Sequence, residues 1–202
     1  LNVDHVDILL AHDIEFATDY EFIFEETAAV LQKLKRKGKC RFVGMSCYPL
    51  RLLRRAIEQC HLDVVISYCH FNLQNQQLLT DLLPTAEQFG VAVLNASPLA
   101  MGLLTNQGPP PWHPAPEPIP TACRAAAQLC RERGADISVL GMQYCLAESK
   151  IPSTITGTAK KAEWDVNWQA ANAPPDPKLL GDVLNILKPV QNQTWPSGNW
   201  RE

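Results

Sequence analysis

Side chains that can take part in chemistry follow five short apolar runs of this 202-residue chain. The first of these groups carries a histidine, whose ring N–H can stabilise charge that develops on a substrate oxygen. The other groups combine hydroxyl, thiol, amide and aromatic side chains. The five groups are His12-Asp13, Ser46-Cys47-Tyr48, Tyr68–Asn72, Asn95–Leu99 and Thr156-Gly157-Thr158. Because each group directly follows an apolar run, together they predict a site at one end of a set of buried strands.

The apolar runs alternate with amphipathic stretches, which predicts strands and helices in turn. The predicted strands cover residues 6–11, 41–46, 64–69, 91–96 and 153–156. The predicted helices cover residues 21–37, 49–60, 77–89, 120–133, 136–149, 159–171 and 177–187. On the first helix we expect Phe22 and Val30 to share the buried face. Trp164 and Trp168, four residues apart on a later helix, are expected to pack in the core.

A long proline-rich segment separates the fourth strand from the next helix. Residues 106–120 contain prolines at 109, 110, 111, 114, 116, 118 and 120. So many prolines exclude regular structure and predict a loop.

Near-continuous apolar strands separated by helices are typical of a parallel α/β sheet. A doubly wound dinucleotide-binding domain should carry GxGxxG after its first strand, and Ala11–Ile14 contains no glycine. In a (β/α)8 barrel, polar residues gather at the carboxyl ends of the strands, which is the pattern found here. The sequence therefore favours part of a (β/α)8 TIM barrel with an extra C-terminal helix. Residues 1–202 would then all belong to one barrel domain.

The composition excludes several classes of protein. With 46% apolar and 19% charged residues the chain is typical of a folded globular protein rather than a disordered one. No run approaches the roughly 18 apolar residues of a membrane helix. A net charge of −3 and a pI of about 6.0 disfavour a nucleic-acid surface. Seven cysteines without a CxxC pair indicate reduced thiols. The first residues resemble a strand rather than a signal peptide. From these two features we expect a cytoplasmic protein.

Acidic and histidine residues crowd the first strand, which raises the alternative of a metal-dependent hydrolase. Metal-binding barrels commonly place an HxH pair on one strand. Here His5 and His12 are seven residues apart, too far along one strand to share an ion. We therefore expect no metal site.

Several longer segments resemble the aldo-keto reductase family. They are VDILLAHD (6–13), KGKCRFVGMS (37–46), VAVLNASPLAMGLLT (91–105) and TITGTAKKAEWDVNWQA (154–170). SYCH, LLTDLLP, QGPPPWHP and TWPSG are similar to the L-galactose dehydrogenase branch of that family. The resemblance implies a (β/α)8 barrel that binds NAD(P) at its carboxyl face and oxidises a sugar at C1 to a lactone. It also implies that the chain corresponds to about the last five βα units.

The resemblance assigns roles to individual residues. His12 matches the catalytic histidine that orients and polarises the substrate oxygen. Ser46 matches the residue that binds the nicotinamide carboxamide. The pyrophosphate-binding loop corresponds to Ser97, Pro98, Leu99, Gly102 and Leu103. The adenosine-binding segment corresponds to Gly157, Thr158, Glu163 and Asn167.

The chain departs from the family pattern at three nicotinamide contacts. Cys47 replaces an asparagine, Ile66 and Ser67 occupy the region of a glutamine, and Ala96 replaces an aromatic residue. These departures favour an alternative, in which the chain belongs to a non-catalytic binding or regulatory subunit. A second alternative is another aldehyde or ketone reductase of the same family.

The residues near the adenosine segment bear on the choice of cofactor. In members that prefer NADP, a lysine and an arginine pair with the 2′-phosphate, and Gly157 and Glu163 stand at the corresponding positions here. A carboxylate repels a phosphate, so we expect NAD to be preferred. Lys160 and Lys161 lie beside this segment and leave NADP as the alternative.

Substrate contacts and the remaining catalytic groups fall in different places. Trp112 and His113 lie in the proline-rich loop, where long loops of a barrel commonly cover the substrate. The family's acid–base tyrosine, its lysine partner and its aspartate lie on strands that precede the first strand of this chain. We therefore expect residues 1–202 alone to be inactive.

Overall fold

A computed structural model describes residues 2–201 of the chain. Its strands are β1 (Val6–Ala11), β2 (Cys40–Cys47), β3 (Val64–Tyr68), β4 (Ala92–Ala96) and β5 (Thr154–Ile155). Its α-helices are α1 (Tyr20–Phe22), α2 (Ala28–Arg36), α3 (Leu50–Gln59), α4 (Leu83–Phe89), α5 (Pro118–Glu132), α6 (Ile137–Leu146), α7 (Lys161–Ala171) and α8 (Pro177–Leu187). Every predicted strand is thus present with ends shifted by a few residues, and every predicted helix overlaps at least one of these helices. The segment predicted as one helix over 77–89 begins with a π-helical turn, Leu78–Leu82, that precedes α4.

The five strands form one sheet in the order β1-β2-β3-β4-β5. β1 runs parallel to β2 with Val6 opposite Cys40, β2 runs parallel to β3 with Gly44 opposite Val64, and β4 runs parallel to β5. Helices connect successive strands, as parallel pairing requires. The prediction of a parallel α/β sheet is therefore confirmed.

The first predicted helix is interrupted by a π-helical turn over Ile23–Thr27, which separates α1 from α2. A π turn carries one more residue than an α turn and so shifts the following side chains around the axis. Phe24, Ala28 and Leu31 are buried, whereas Phe22, which precedes the π turn, and Val30 are exposed. The prediction that Phe22 and Val30 share the buried face is wrong, because the buried face runs through Phe24 and Ala28 instead.

The chain divides into two compact units. Unit 1 comprises Leu1–Ser67, Leu78–Leu94 and Ser197–Glu202. Its fully buried side chains come mainly from β2, α3 and the π turn before α4, and include Met45, Leu52, Leu53, Ile57, Leu78 and Leu82.

Two contacts fix β2 in unit 1. Asp63 accepts hydrogen bonds from Lys35 Nζ and from the backbone N–H of Val43, which holds α2 and the start of β3 to β2. Gly44 lies so close to β3 that a Cβ atom there would be 1.9 Å from the carbonyl oxygen of Val64. Only glycine fits this position without moving the strands apart.

Unit 2 comprises Tyr68–Gln77 and Asn95–Pro196. Here α5 packs on α8, and α6 packs on α7. Its fully buried side chains include Phe71, Leu73, Leu103, Leu104, Ile119 and Ile137.

The two tryptophans of α7 lie on its outer side. Trp164 is 55% exposed and Trp168 is 64% exposed, while Ala170 of the same helix is buried. The spacing of the tryptophans places both on one face, but α7 packs through a different face. The prediction that they lie in the core is wrong.

All seven cysteines are buried and free of disulfide bonds. Burial raises the pKa of Cys69, Cys123 and Cys145 to about 12, so these thiols stay protonated. Within residues 2–201, no helix combines the length and apolar character needed to cross a membrane.

Candidate cofactor and catalytic sites

Unit 2 contains a cavity of about 720 Å³ at the carboxyl ends of β4 and β5. Four segments form its wall: residues 96–107 after β4, the start of α6, residues 155–158 at the end of β5, and one face of α7. A volume of this size is typical of a small-molecule or cofactor pocket.

The segment after β4 has an unusual backbone. Ser97, Ala100 and Met101 adopt positive φ angles of 52°, 47° and 52°, which L-residues rarely take. The N–H of Ala100 donates to the carbonyl of Ser97, and the N–H of Leu104 donates to that of Leu99. Such strain costs on the order of 1 kcal/mol per residue and is concentrated at functional sites in proteins.

Cys69, at the end of β3, supports the same segment. Its backbone N–H donates to the carbonyl of Ala96 at 3.0 Å, and its thiol shares a hydrogen bond with the side chain of Ser97. Ser97 is thus tied to the end of β3.

The start of α6 contributes a carboxylate to the cavity wall. Asp136 caps the helix by accepting from the N–H of Ser138 at 2.7 Å. Its other oxygen accepts from the amide of Asn106 at 2.8 Å. Asp136, Ser138 and Asn106 all line the cavity, and sequence reasoning missed all three. The N-capping pattern Asp-x-Ser at the helix start was the available signal.

The end of β5 and α7 supply the opposite wall. Gly157, Thr158, Glu163 and Asn167 line it. Glu163 accepts hydrogen bonds from the Thr158 hydroxyl at 2.5 Å and from Lys160 Nζ at 3.0 Å, which lowers the pKa of its carboxyl. Glu163 is therefore ionised at neutral pH.

Eight of the predicted cofactor residues line this cavity. They are Ser97, Pro98, Leu99, Gly102, Gly157, Thr158, Glu163 and Asn167. Leu103, predicted with them, is instead fully buried beneath the loop and is not part of the wall. An apolar side chain in a tight turn packs inward, and this accounts for the difference. Ser46 belongs to unit 1.

His12 and Ser46 lie at the ends of β1 and β2 in unit 1. The His12 side chain is 70% exposed, and its Nδ1 lies 2.9 Å from Oδ1 of Asp13. The N–H of Asp13 donates to Oγ of the buried Ser46 at 3.4 Å. Because a carboxylate only accepts hydrogen bonds, this contact places a proton on Nδ1 and leaves Nε2 as the ring nitrogen for a substrate oxygen.

Trp112 and His113 lie in the proline-rich loop, and neither lines the cavity. Trp112 is 70% exposed. His113 Nδ1 accepts from the N–H of Ala115 at 3.1 Å, so Nε2 carries the proton and donates to the carbonyl of Ala100 at 3.2 Å. Partial burial lowers the pKa of His113, although the bond to Ala100 acts in the opposite direction, and the ring is neutral at pH 7. His113 thus holds the loop in place, with both ring nitrogens bonded to the backbone.

In the part of the chain that the structure describes, no group of three or more His, Cys, Asp or Glu side chains is placed to hold a metal ion. His12 has Asp13 as its carboxylate neighbour, and that pair alone provides too few ligands.

Comparisons with known proteins agree with this architecture. Residues 1–186 match the model of the aldo/keto reductase family. The chain is 43% identical to L-galactose dehydrogenase of Arabidopsis thaliana over 98% of its length, and 33% identical to D-arabinose 1-dehydrogenase of Saccharomyces cerevisiae over 98% of its length. It spans 64% of the length of each of these relatives.

The fold also matches a solved structure. An aldo-keto reductase from Bacillus halodurans in its holo form superposes with a TM-score of 0.71 at 18% identity, covering 98% of this chain and 63% of that one. Such a likeness at low identity reports the fold, and it agrees with the parallel sheet and its connecting helices. From the match over residues 1–186, the chain belongs to the aldo/keto reductase family.

Proposed function

We propose that this chain is part of an NAD(P)-dependent oxidoreductase that oxidises L-galactose or a similar aldose at C1 to a lactone. Two relatives that span nearly the whole chain are an L-galactose dehydrogenase and a D-arabinose 1-dehydrogenase. The observation that carries the proposal is the cavity of unit 2, whose wall includes eight of the residues assigned to the cofactor.

The residues of the cavity suit a dinucleotide. The side chains of the cavity can form hydrogen bonds to the ribose and phosphate oxygens and to the adenine nitrogens. The groups available are the hydroxyl and amide groups of Ser97, Ser138, Thr158 and Asn167. The backbone at Gly157 is open, since a Cβ there would meet no atom within 4 Å, and this leaves room for a cofactor to approach it closely. NAD bound in this cavity would supply the acceptor for the hydride from C1 of the sugar.

His12 orients the substrate in this proposal. With its Nδ1 held by Asp13, the ring presents Nε2 to the C1 oxygen and fixes the position of that oxygen. The C1–H bond then breaks as hydride leaves, the hydroxyl loses its proton, and C1 becomes the carbonyl carbon of the lactone. The proton acceptor is assigned by family resemblance to a tyrosine outside this chain.

The extent of the chain relative to its relatives supports the rest of the proposal. A chain that spans 64% of both relatives and forms five parallel strands fits the last five βα units of an eight-unit barrel. The tyrosine, lysine and aspartate of the catalytic tetrad then lie in the first three units. Seven free, buried cysteines support a reducing compartment, and we infer a cytoplasmic location.

The full-length protein tests the function directly. We expect it to reduce NAD with L-galactose or D-arabinose as substrate and to release the corresponding lactone, measured by absorbance of NADH and by mass spectrometry. A non-catalytic subunit is the second candidate, favoured by Cys47, Ile66 and Ala96 at nicotinamide-contact positions. Binding of NAD without turnover of any aldose would identify that alternative.

The choice of cofactor follows from the charges at the cavity. Among the described residues, no lysine or arginine lines its wall, whereas Asp136 and Glu163 do. Lys160 pairs with Glu163, and Lys161 pairs with Asp165. These charges support a preference for NAD, because a 2′-phosphate would face carboxylates.

We expect kcat/KM to be higher with NAD than with NADP, and Glu163→Arg to raise the value for NADP. An arginine at this position can form a charge-assisted bond to the 2′-phosphate, although solvent at this exposed position weakens that bond. Glu132→Arg, on the exposed end of α5 outside the cavity, makes the same change of charge as a control. A wild-type preference for NADP that disappears in Lys160→Ala or Lys161→Ala would assign the phosphate to that lysine instead.

A further inference from the structure

The last residues of the chain form a clasp on the segment that follows β1. This C-terminal clasp, Ser197–Trp200, lies in unit 1 together with Ile14–Phe16. The N–H of Asn199 donates to the carbonyl of Glu15 at 2.7 Å, and the Asn199 amide donates to the carbonyl of Phe16 at 2.8 Å. Two successive carbonyls of the segment after His12 are therefore held by one residue.

Gly198 is required for this approach. Its φ angle is +65°, and a Cβ atom there would lie 2.4 Å from the carbonyl oxygen of Glu15. Any other residue would both strain the backbone and push the clasp away from Glu15.

The Glu15 side chain connects the clasp to the end of β2. It is 0% exposed, and its Oε1 accepts from the N–H of Tyr48 at 3.0 Å and from the Ser197 hydroxyl at 3.3 Å. Tyr48 follows Ser46 and Cys47 in the chain, at the end of β2. One buried carboxylate thus joins the segments after β1 and β2 to the C-terminal residues.

Aromatic contacts hold the outer end of the clasp. Trp200 packs edge-to-face on Tyr20 with ring centroids 5.1 Å apart, and the guanidinium of Arg55 lies over Trp200 at 5.8 Å. The Tyr20 hydroxyl donates to the carbonyl of Glu15 at 3.0 Å. The carbonyl of Glu15 therefore accepts from both Tyr20 and Asn199.

We propose that Glu15 is a positioning residue for His12, and that the C-terminal clasp acts through it. The inference rests on the proposed function, in which His12 orients the substrate oxygen. His12 is largely exposed, so the backbone of residues 13–16 and the Asp13 carboxylate determine where its ring points. From β2, the Ser46 hydroxyl accepts from the N–H of Asp13, and the N–H of Tyr48 donates to the Glu15 carboxylate. The clasp bonds to the backbone carbonyls of Glu15 and Phe16.

Catalysis depends on how precisely a reacting group is positioned. A displacement of about 1 Å in a positioned group can reduce a rate by roughly a hundredfold. Without the clasp, the segment after His12 keeps its contacts to β2 and loses those to Asn199 and Ser197. The fold should survive this loss, while the direction of the His12 ring becomes less well defined.

Gly198→Ala in the full-length protein tests the proposal. We expect kcat for sugar oxidation to fall by roughly tenfold to a hundredfold, with the Kd for NAD unchanged. Gly38→Ala is the matched control, because Gly38 has φ +70° and a Cβ there would meet no atom within 4 Å. It imposes the same backbone strain without touching Glu15.

Amide hydrogen exchange reports the clasp independently of activity. In Gly198→Ala, protection of the Asn199 N–H should be lost, while the N–H of Val43, which is bonded to Asp63, should be unaffected. An intact kcat together with a lost clasp would overturn the proposal. Retained protection of Asn199 would overturn it as well, since the clasp would then tolerate the added Cβ.

A pair of substitutions separates positioning from general stability. Glu15→Gln keeps an oxygen that accepts from Tyr48 and Ser197 and should retain most of kcat, whereas Glu15→Ala should lose it. Equal losses in both variants would contradict the role given to the hydrogen bonds. If the wild-type protein oxidises no sugar, the proposed function fails and the positioning role fails with it, while hydrogen exchange still decides whether the clasp exists.

Discussion

Replacing His12 by alanine in the full-length protein should lower kcat by roughly 10²–10⁴-fold while leaving the Kd for NAD nearly unchanged. The imidazole is the side chain of unit 1 that we assign to the substrate oxygen, and it lies at the carboxyl end of β1 with its ring exposed. An exposed ring contributes little to the core, so the fold should tolerate its removal. Steady-state kinetics and a fluorescence titration with NAD would measure the two quantities.

A second histidine of the same unit provides the control for His12. His5 is exposed, precedes β1 and has no role in the proposed reaction, so His5→Ala should leave kcat unchanged. Loss of NAD binding together with turnover in His12→Ala, or an unchanged kcat, would count against the role assigned to this histidine.

Residues 1–202 expressed alone should show no dehydrogenase turnover on any aldose. In the proposed barrel the proton acceptor and its lysine partner lie on strands that precede β1, and hydride cannot leave C1 of the sugar efficiently unless a base removes the proton of the C1 hydroxyl. The outer edges of β1 and β5 also present backbone groups at the two ends of the sheet order. Unpaired edges of this kind promote association between chains, so the isolated piece should aggregate or self-associate.

Two measurements on the isolated chain check this expectation. Size-exclusion chromatography with light scattering gives its state of association, and an assay of NADH formation gives its turnover. The full-length protein under the same conditions is the control. A monodisperse, active monomer of 22.5 kDa would refute the placement of the catalytic tyrosine and lysine outside this chain.

The sheet and most of the cofactor wall could be predicted because both depend on local pattern. Apolar runs bounded by polar residues define the strands, and barrel geometry brings the residues at their carboxyl ends together on one face. The pattern placed Ser97 and Gly157 at strand ends, whereas the cofactor roles of both, and of Asn167, came from the family resemblance. Asp136 and Asn106 were missed because their place in the cavity depends on how the proline-rich loop folds back to α6.

Other features depend on contacts between residues far apart in the chain. No periodicity in residues 197–201 indicates that they return to Glu15, some 180 positions earlier. The exposed faces of Trp164 and Trp168 were mispredicted because helical spacing reveals that two residues share a face and not which neighbour that face meets. The π turn at Ile23–Thr27 likewise has no clear sequence signature.

The charges of the cavity wall have a consequence for how ionic strength should affect binding. A site that holds phosphates with lysine and arginine weakens as salt is added, because mobile ions screen the attraction. The wall described here contributes carboxylates from Asp136 and Glu163 and, over residues 2–201, no cationic side chain. Added salt would then screen the repulsion between these carboxylates and the phosphates of the dinucleotide. A dinucleotide should bind this wall as tightly at high chloride concentration as in dilute buffer, or more tightly.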